Sequence, residues 1–196
     1  MPDIIADVML GFSHVPMLFF ISLLGSLYQG PRLFWQTACL IALDIIVNVT
    51  LKGSFKIPLS PALHKVGYAF PSGHMQMVTV FYIWWAYIFP SWRYIIVVIT
   101  ILIGIGAGLI HYGYHDVYDV GGGFIFGVAL VYGYCSLRKK NKHFTAVLFI
   151  VATAFMMCNL FLYTTLPIYV CVAYGGIVLL ILAERIFIRA HPSTSP

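Results

Sequence analysis

The chain has 196 residues, of which 61% are hydrophobic and 9% charged, with a formal net charge of +5 and a mean hydropathy of +0.95. A soluble domain carries roughly 25% charged residues, so this composition excludes a water-facing globular surface and points to an all-α integral membrane protein. The positive balance does not require nucleic acid, because its distribution along the chain has a membrane explanation.

A spanning helix needs about 20 mainly apolar residues. Seven segments approach that length: 5–28, 33–52, 73–90, 93–111, 118–137, 144–163 and 167–188. They predict a polytopic membrane helical bundle with six or seven transmembrane helices. The chain reads as a single domain over 1–196, with its motif-bearing core at about 45–130.

The first segment is interrupted by Gly11, His14 and Pro16, so it is either one span or a short interfacial helix followed by a shorter span. It begins with Asp3 and Asp7 rather than the basic stretch of a signal peptide. His14 is expected in the bundle or at the interface. The second segment carries Asp44, Asn48 and Lys52 four residues apart, on one helical stripe. An isolated aspartate at mid-membrane costs about 2.5–3.5 kcal/mol on insertion scales. The stripe should therefore face the bundle, either beneath a bound head group or as interhelical packing bonds.

A long loop, 53–71, leads to Pro71-Ser72-Gly73-His74 at the mouth of the third segment. The aromatic run Phe81, Tyr82, Trp84, Trp85 and Tyr87 is expected to face lipid or form an interfacial belt. Gly104 with Gly108, and Gly123 with Gly127, are small pairs that let helices approach closely. Cys39, Cys135, Cys158 and Cys171 lack paired spacing and read as small core hydrophobes.

With seven spans, one side receives Arg32, Arg93, Arg138, Lys139, Lys140, Lys142, Arg185 and Arg189, against Lys52, Lys56 and Lys65 on the other. The larger set belongs in the cytoplasm. The 53–71 loop and the 111–119 turn then share the outer face, and a bacterial inner membrane is the expected setting. His74, His115 and Asp119 fall together on that face.

Ser72 is a good N-cap, and Gly73 lets an anion approach the backbone. The helix that follows offers unpaired N–H groups and the positive end of its dipole to a phosphate. His74 in its first turn can protonate a leaving oxygen. In a helical stretch His115 and Asp119 share a face; a carboxylate on one ring nitrogen frees the other to attack phosphorus. The bland alternatives are an ordinary cap and a structural hydrogen-bonded pair. His111, His115 and Asp119, with His74, also have the spacing of a metal face. The Ser-Gly approach to His74 fits phosphate better, and no metal or other cofactor is expected.

Pro71-Ser72-Gly73-His74, followed by His115-Asp116-Val117-Tyr118-Asp119, resembles motifs two and three of the type-2 phosphatidic acid phosphatase superfamily. Lys52 is similar to the lysine that opens motif one. The resemblance implies a helical-bundle core and metal-independent phosphoryl transfer. It also implies His115 as nucleophile, Asp119 as its orienter, His74 as general acid, and Lys52, Ser72 and Gly73 on the phosphate. The substrate it implies is a membrane lipid phosphate.

The chain departs from the family where motif one ends in Arg-Pro and motif three opens with Ser-Arg. Those positions are Leu59-Ser60 and Gly108-Leu109. Arginine binds a dianionic phosphate bidentately, so three readings stay open. Lys56 or Lys65 replaces it, with His64 or His111 adding donors. Alternatively, the substrate is a phosphodiester, as in the sphingomyelin synthase branch, which the chain resembles in keeping the histidines and aspartate; the protein is then a head-group phosphotransferase. Or the protein binds or transports a lipid without turning it over. Hydrolysis is the primary expectation, with His111, Asp44 and Asn48 as auxiliary residues.

Overall fold

The computed structural model describes residues 1–64 and 66–190. Among these residues eight α-helices are present: α1 (Asp3–Gly11), α2 (Val15–Gln29), α3 (Pro31–Phe55), α4 (Gly73–Ile88), α5 (Trp92–His111), α6 (Val117–Lys140), α7 (Phe144–Leu162) and α8 (Ile168–Ala190). A single 3-10 turn, Pro61–Leu63, interrupts the long loop. Pro16 and Pro31 sit in the first turns of α2 and α3, where a missing N–H costs nothing. Gly30 takes φ 88 between those helices, a conformation that a side chain would strain.

The first apolar segment is broken. α1 and α2 meet at a 46° bend, the geometry of a broken span or a re-entrant loop rather than one straight rod. Among the described residues four helices, α3, α5, α6 and α7, are long and apolar enough to cross a membrane, or five if the bent pair counts as one span. Length and composition therefore support four or five of the expected six or seven. α4 has 16 residues, and at ~1.5 Å per residue it is ~24 Å long against a hydrocarbon core of ~30 Å.

α4 lies at the centre. It runs antiparallel to α3, with Thr37 Oγ1 accepting from Trp84 Nε1 at 3.0 Å near one end and Asn48 meeting Gln76 near the other. It runs parallel to α6. A Cβ at Gly123 would stand 2.7 Å from the Ser72 carbonyl, and one at Gly127 would stand 2.8 Å from Thr79 Cβ. The two glycines thus bring these backbones together, as the small-residue spacing suggested. Further along, Trp84 packs edge-on to Tyr134, with Arg138 over its ring.

This central position overturns the lipid-facing assignment of the aromatic run. Phe81, Tyr82, Trp84 and Trp85 are buried, and only Tyr87 is exposed. A helix enclosed by α3, α5 and α6 needs bulk on several faces, and aromatic side chains supply it. The faces turned outward are largely aliphatic instead, with Ile96, Ile99 and Ile103 on α5 and Ile150 on α7 all exposed. Such faces are stable only against hydrocarbon. Two cysteine expectations also fail: Cys39 and Cys135 are buried, but Cys158 and Cys171 are exposed.

The long loop folds back on itself. Leu59 N–H donates to Gly67 O at 3.0 Å and Ala69 N–H to Ile57 O at 2.8 Å. Phe70 then packs against Phe55 and Phe126, at ring separations of 4.9 and 6.2 Å. This return delivers Pro71-Ser72 to the mouth of α4, beside the start of α6.

Candidate active site

The site is assembled where α4 and α6 begin. α6 opens with a capping box: Asp119 N–H donates to Asp116 Oδ1 at 2.8 Å, and Asp116 N–H donates back to Asp119 Oδ2 at 3.4 Å. The same Asp119 oxygen lies 3.0 Å from His115 Nδ1. A carboxylate only accepts, so Nδ1 carries the proton and Nε2 presents a lone pair. Asp119 is locked by the cap before it orients the histidine.

The pair does not rest on a continuous helix, contrary to the four-residue helical spacing expected. α5 ends at His111, Gly113 takes φ 67, and α6 starts at Val117. This break also removes the metal face. His111 Nε2 turns to Asp3 Oδ1 of α1 at 2.8 Å, away from His115. His115 stands mostly enclosed, with a side-chain exposure of 12%. Burial pushes its imidazole below the ordinary histidine value; the hydrogen bond and charge of Asp119 oppose that, and Lys52 reinforces it. The net direction favours the neutral imidazole.

Ser72 caps α4, its Oγ accepting from Met75 N–H at 3.4 Å. Its own N–H donates to Asp119 O at 2.9 Å, which ties the two helix mouths together. Ser72 is fully buried, so it shapes the Pro71–Gly73 turn from behind. Behind Gly73 lies the polar stripe of α3. Asp44 Oδ1 accepts from Gln76 Nε2 at 2.8 Å, and Gln76 Oε1 accepts from Asn48 Nδ2 at 2.9 Å. A Cβ at Gly73 would stand 3.0 Å from Asn48 Oδ1. The Lys52 ammonium donates to the carbonyls of Tyr68 and Ala69, bracing the loop while remaining within electrostatic reach of His115 and Asp119.

His74 and His115 line one cavity of about 710 Å³, together with Leu59, Leu109 and Tyr114. His115 and Asp119 also border a second opening of about 360 Å³, with Asp116 and Ser60. His115 thus borders both cavities, sharing the larger one with His74 and the smaller one with Asp119.

The sequence profile of the PAP2 superfamily matches residues 18–143, covering both helix-mouth motifs and more than half of the chain. The chain belongs to the PAP2 superfamily. Most members are phosphatases, and lipid phosphates are their general substrates. No curated protein matches the chain, and no solved structure does.

Within this PAP2 superfamily site the cationic half is thin. Leu59 and Leu109, at the positions where the motifs carry arginine, both line the cavity. Lys56 caps α3 in a left-handed conformation, with an exposed side chain outside both cavities. Lys65 lies outside the described residues. His111 is taken up by Asp3. Of the sequence candidates, the geometry brings His74, His115, Asp119, Gly73 and Lys52 together, with Asp44 and Asn48 one layer below. It adds one residue that motif reasoning placed elsewhere. His14, at the α1–α2 break, lines the cavity with His74 and His115. Gly11 and Pro16 marked that break in the sequence; nothing local indicated that it returns to the site.

Proposed function

We propose that this PAP2 superfamily protein hydrolyses a phosphate ester of a membrane lipid at the outer face, through a phosphohistidine on His115. The observation that carries this reading is the His115 Nδ1–Asp119 Oδ2 contact of 3.0 Å, beside a cavity shared with His74. Nε2 attacks phosphorus, the ester P–O bond breaks, and His74 gives its proton to the departing lipid oxygen. Water then attacks the phosphohistidine, His74 takes the proton from that water, the N–P bond breaks and phosphate leaves. The N–H groups of Gly73 and His74, which have no intrahelical acceptor, bind the equatorial oxygens together with Lys52.

Two further elements belong to the same reading. α4 and α8 are taken as additional spans, giving six or seven in one domain, because the C-terminal end of α4 meets Arg138 and Lys139 at the basic end of α6. That basic end is placed in the cytoplasm of a bacterial inner membrane. A second reading, head-group transfer between lipids, is favoured by Leu59 and Leu109 in the cavity wall. Without arginines the site suits a phosphorus bearing one charge better than a dianionic monoester.

Purified protein in detergent should release inorganic phosphate from phosphatidic acid, and His115→Ala should abolish that release. Head-group exchange between two phosphodiester lipids without phosphate release selects the transferase. Turnover that survives His115→Ala sinks the phosphohistidine in both. Lipid movement across vesicles that is unaffected by His115→Ala would instead indicate a transporter.

A further inference from the structure

The break between α1 and α2 is held in place from three sides. Ser13, itself buried, donates its hydroxyl to Leu10 O at 2.6 Å. The Phe12 carbonyl accepts from Tyr82 OH at 2.8 Å. Tyr82 lies eight residues after His74 on α4, so the anchor and the general acid share one helical face. α1 is fixed to the end of α5 by Asp3 on His111 and by Tyr112 OH donating to Asp7 Oδ1 at 2.6 Å. Met9 and Leu10 seat on Gly104 and Gly108, where an added Cβ would stand 2.5 Å from the Met9 sulfur.

The residue this construction presents is His14. It occupies the N-cap position of α2, yet its side chain makes no capping hydrogen bond. Its ring lines the same cavity as His74 and His115 and stands within electrostatic reach of His74. Asp7, Ser13, Tyr112 and Tyr114 are the other polar or titratable residues lining that cavity. Leu59 and Leu109 line the same cavity and provide no cation.

We propose that His14 is a substrate-binding residue, a third imidazole that donates to the non-bridging oxygens of the phosphate in the part of the pocket Leu59 and Leu109 leave without charge. The inference rests on the phosphoryl-transfer reading and adds a recognition element from outside the shared motifs. It makes the broken N-terminal helix pair part of the active site rather than a membrane anchor.

The test uses the full chain in detergent, with inorganic phosphate as the probe followed by 31P line broadening, and with turnover of phosphatidic acid read as KM and kcat. His14→Ala should weaken phosphate binding about tenfold or more, the size of one charge-assisted hydrogen bond, and should raise KM more than it lowers kcat. His14→Arg should restore binding, because a guanidinium supplies the same donors with a permanent charge. His143→Ala, at the distant start of α7, should match the wild type. If His14→Ala fails to fold, Tyr82→Phe removes only the Phe12 anchor and should weaken phosphate binding with the histidine retained. Full phosphate binding by His14→Ala overturns the proposal while leaving the phosphoryl-transfer reading intact. Loss in His14→Ala without recovery in His14→Arg also overturns it, because the role is then structural. A wild type that neither binds phosphate nor turns over lipid overturns both readings.

Discussion

Gly123→Ala is a direct test of how packing sets the chemistry. The new Cβ would stand 2.7 Å from the Ser72 carbonyl, 3.0 Å from Met75 Cβ and 3.1 Å from Gln76 N. Two of these three atoms are backbone, so no flexible side chain can swing aside. Ordinary contact begins near 3.4 Å, so α4 must retreat from α6 by 3.4 − 2.7 = 0.7 Å. The Ser72 N–H to Asp119 O bond, now 2.9 Å, would stretch toward 3.6 Å by the same displacement and fail. Overpacking costs about 1–3 kcal/mol, and the lost bond adds about 0.5–1.5 kcal/mol. The retreat also carries His74 away from His115, and a misplacement near 1 Å can cost about 10²-fold in rate. The assay pairs melting in detergent with kcat/KM on phosphatidic acid. Gly121→Ala is the control, because nothing lies within 4 Å of its Cβ and the better helix former should leave the melting point equal or higher. A Gly123→Ala protein with wild-type melting and turnover would refute the claim that this crossing sets the distance between the two histidines.

Further outcomes are expected. Burial holds the His115 imidazole below the ordinary histidine value, so the acidic limb of kcat/KM should fall below about pH 6.5. Asp119→Asn removes the influence that opposes burial; it should move that limb lower still and cost about 10⁴-fold in rate through loss of the tautomer, as in catalytic triads. For stability the sign is the reverse of a salt-bridged histidine. Unfolded His115 binds its proton more tightly than folded His115, so the protein should lose stability as pH falls through the ordinary histidine range, and His115→Ala should flatten that slope in pH-dependent melts. Asn48→Leu leaves the buried Gln76 Oε1 without its donor at a cost of about 1–3 kcal/mol; an unchanged melting temperature would show that the stripe under Gly73 contributes nothing. Leu59→Arg should lower KM for a monoester by supplying the missing fork, and an unchanged KM would mean that this cavity wall does not meet phosphate.

The grouping of His74, His115 and Asp119 was legible because these residues sit close in sequence to the features that place them. Ser72 and Gly73 mark the start of a helix, and Asp119 follows His115 by one turn's worth of chain. The basic-residue count put them on one face. The polar stripe Asp44–Asn48–Lys52 was legible for a similar reason, because helical periodicity aligns it and the cost of an aspartate in lipid turns it inward. The aromatic run of α4 was misread because hydropathy reports that a side chain avoids water and does not say whether it meets lipid or protein. His111 and His14 exchanged expectations. Local spacing drew His111 toward His115, but Gly113 breaks the helix between them and Asp3 claims the ring.

The sequence by itself determined an apolar, all-helical membrane chain with a His74, His115 and Asp119 set at two helix mouths, since composition and short-range spacing encode those facts. Only the tertiary structure decided which cavity the set shares and what else faces it. The partners of that cavity, Leu59 in the folded-back loop, Leu109 at the end of α5 and His14 in the broken N-terminal pair, come from three separate segments. They meet because Gly104, Gly108, Gly123 and Gly127 allow backbones to approach at close range. Such meetings are packing events between distant segments, and no local pattern in the chain records them.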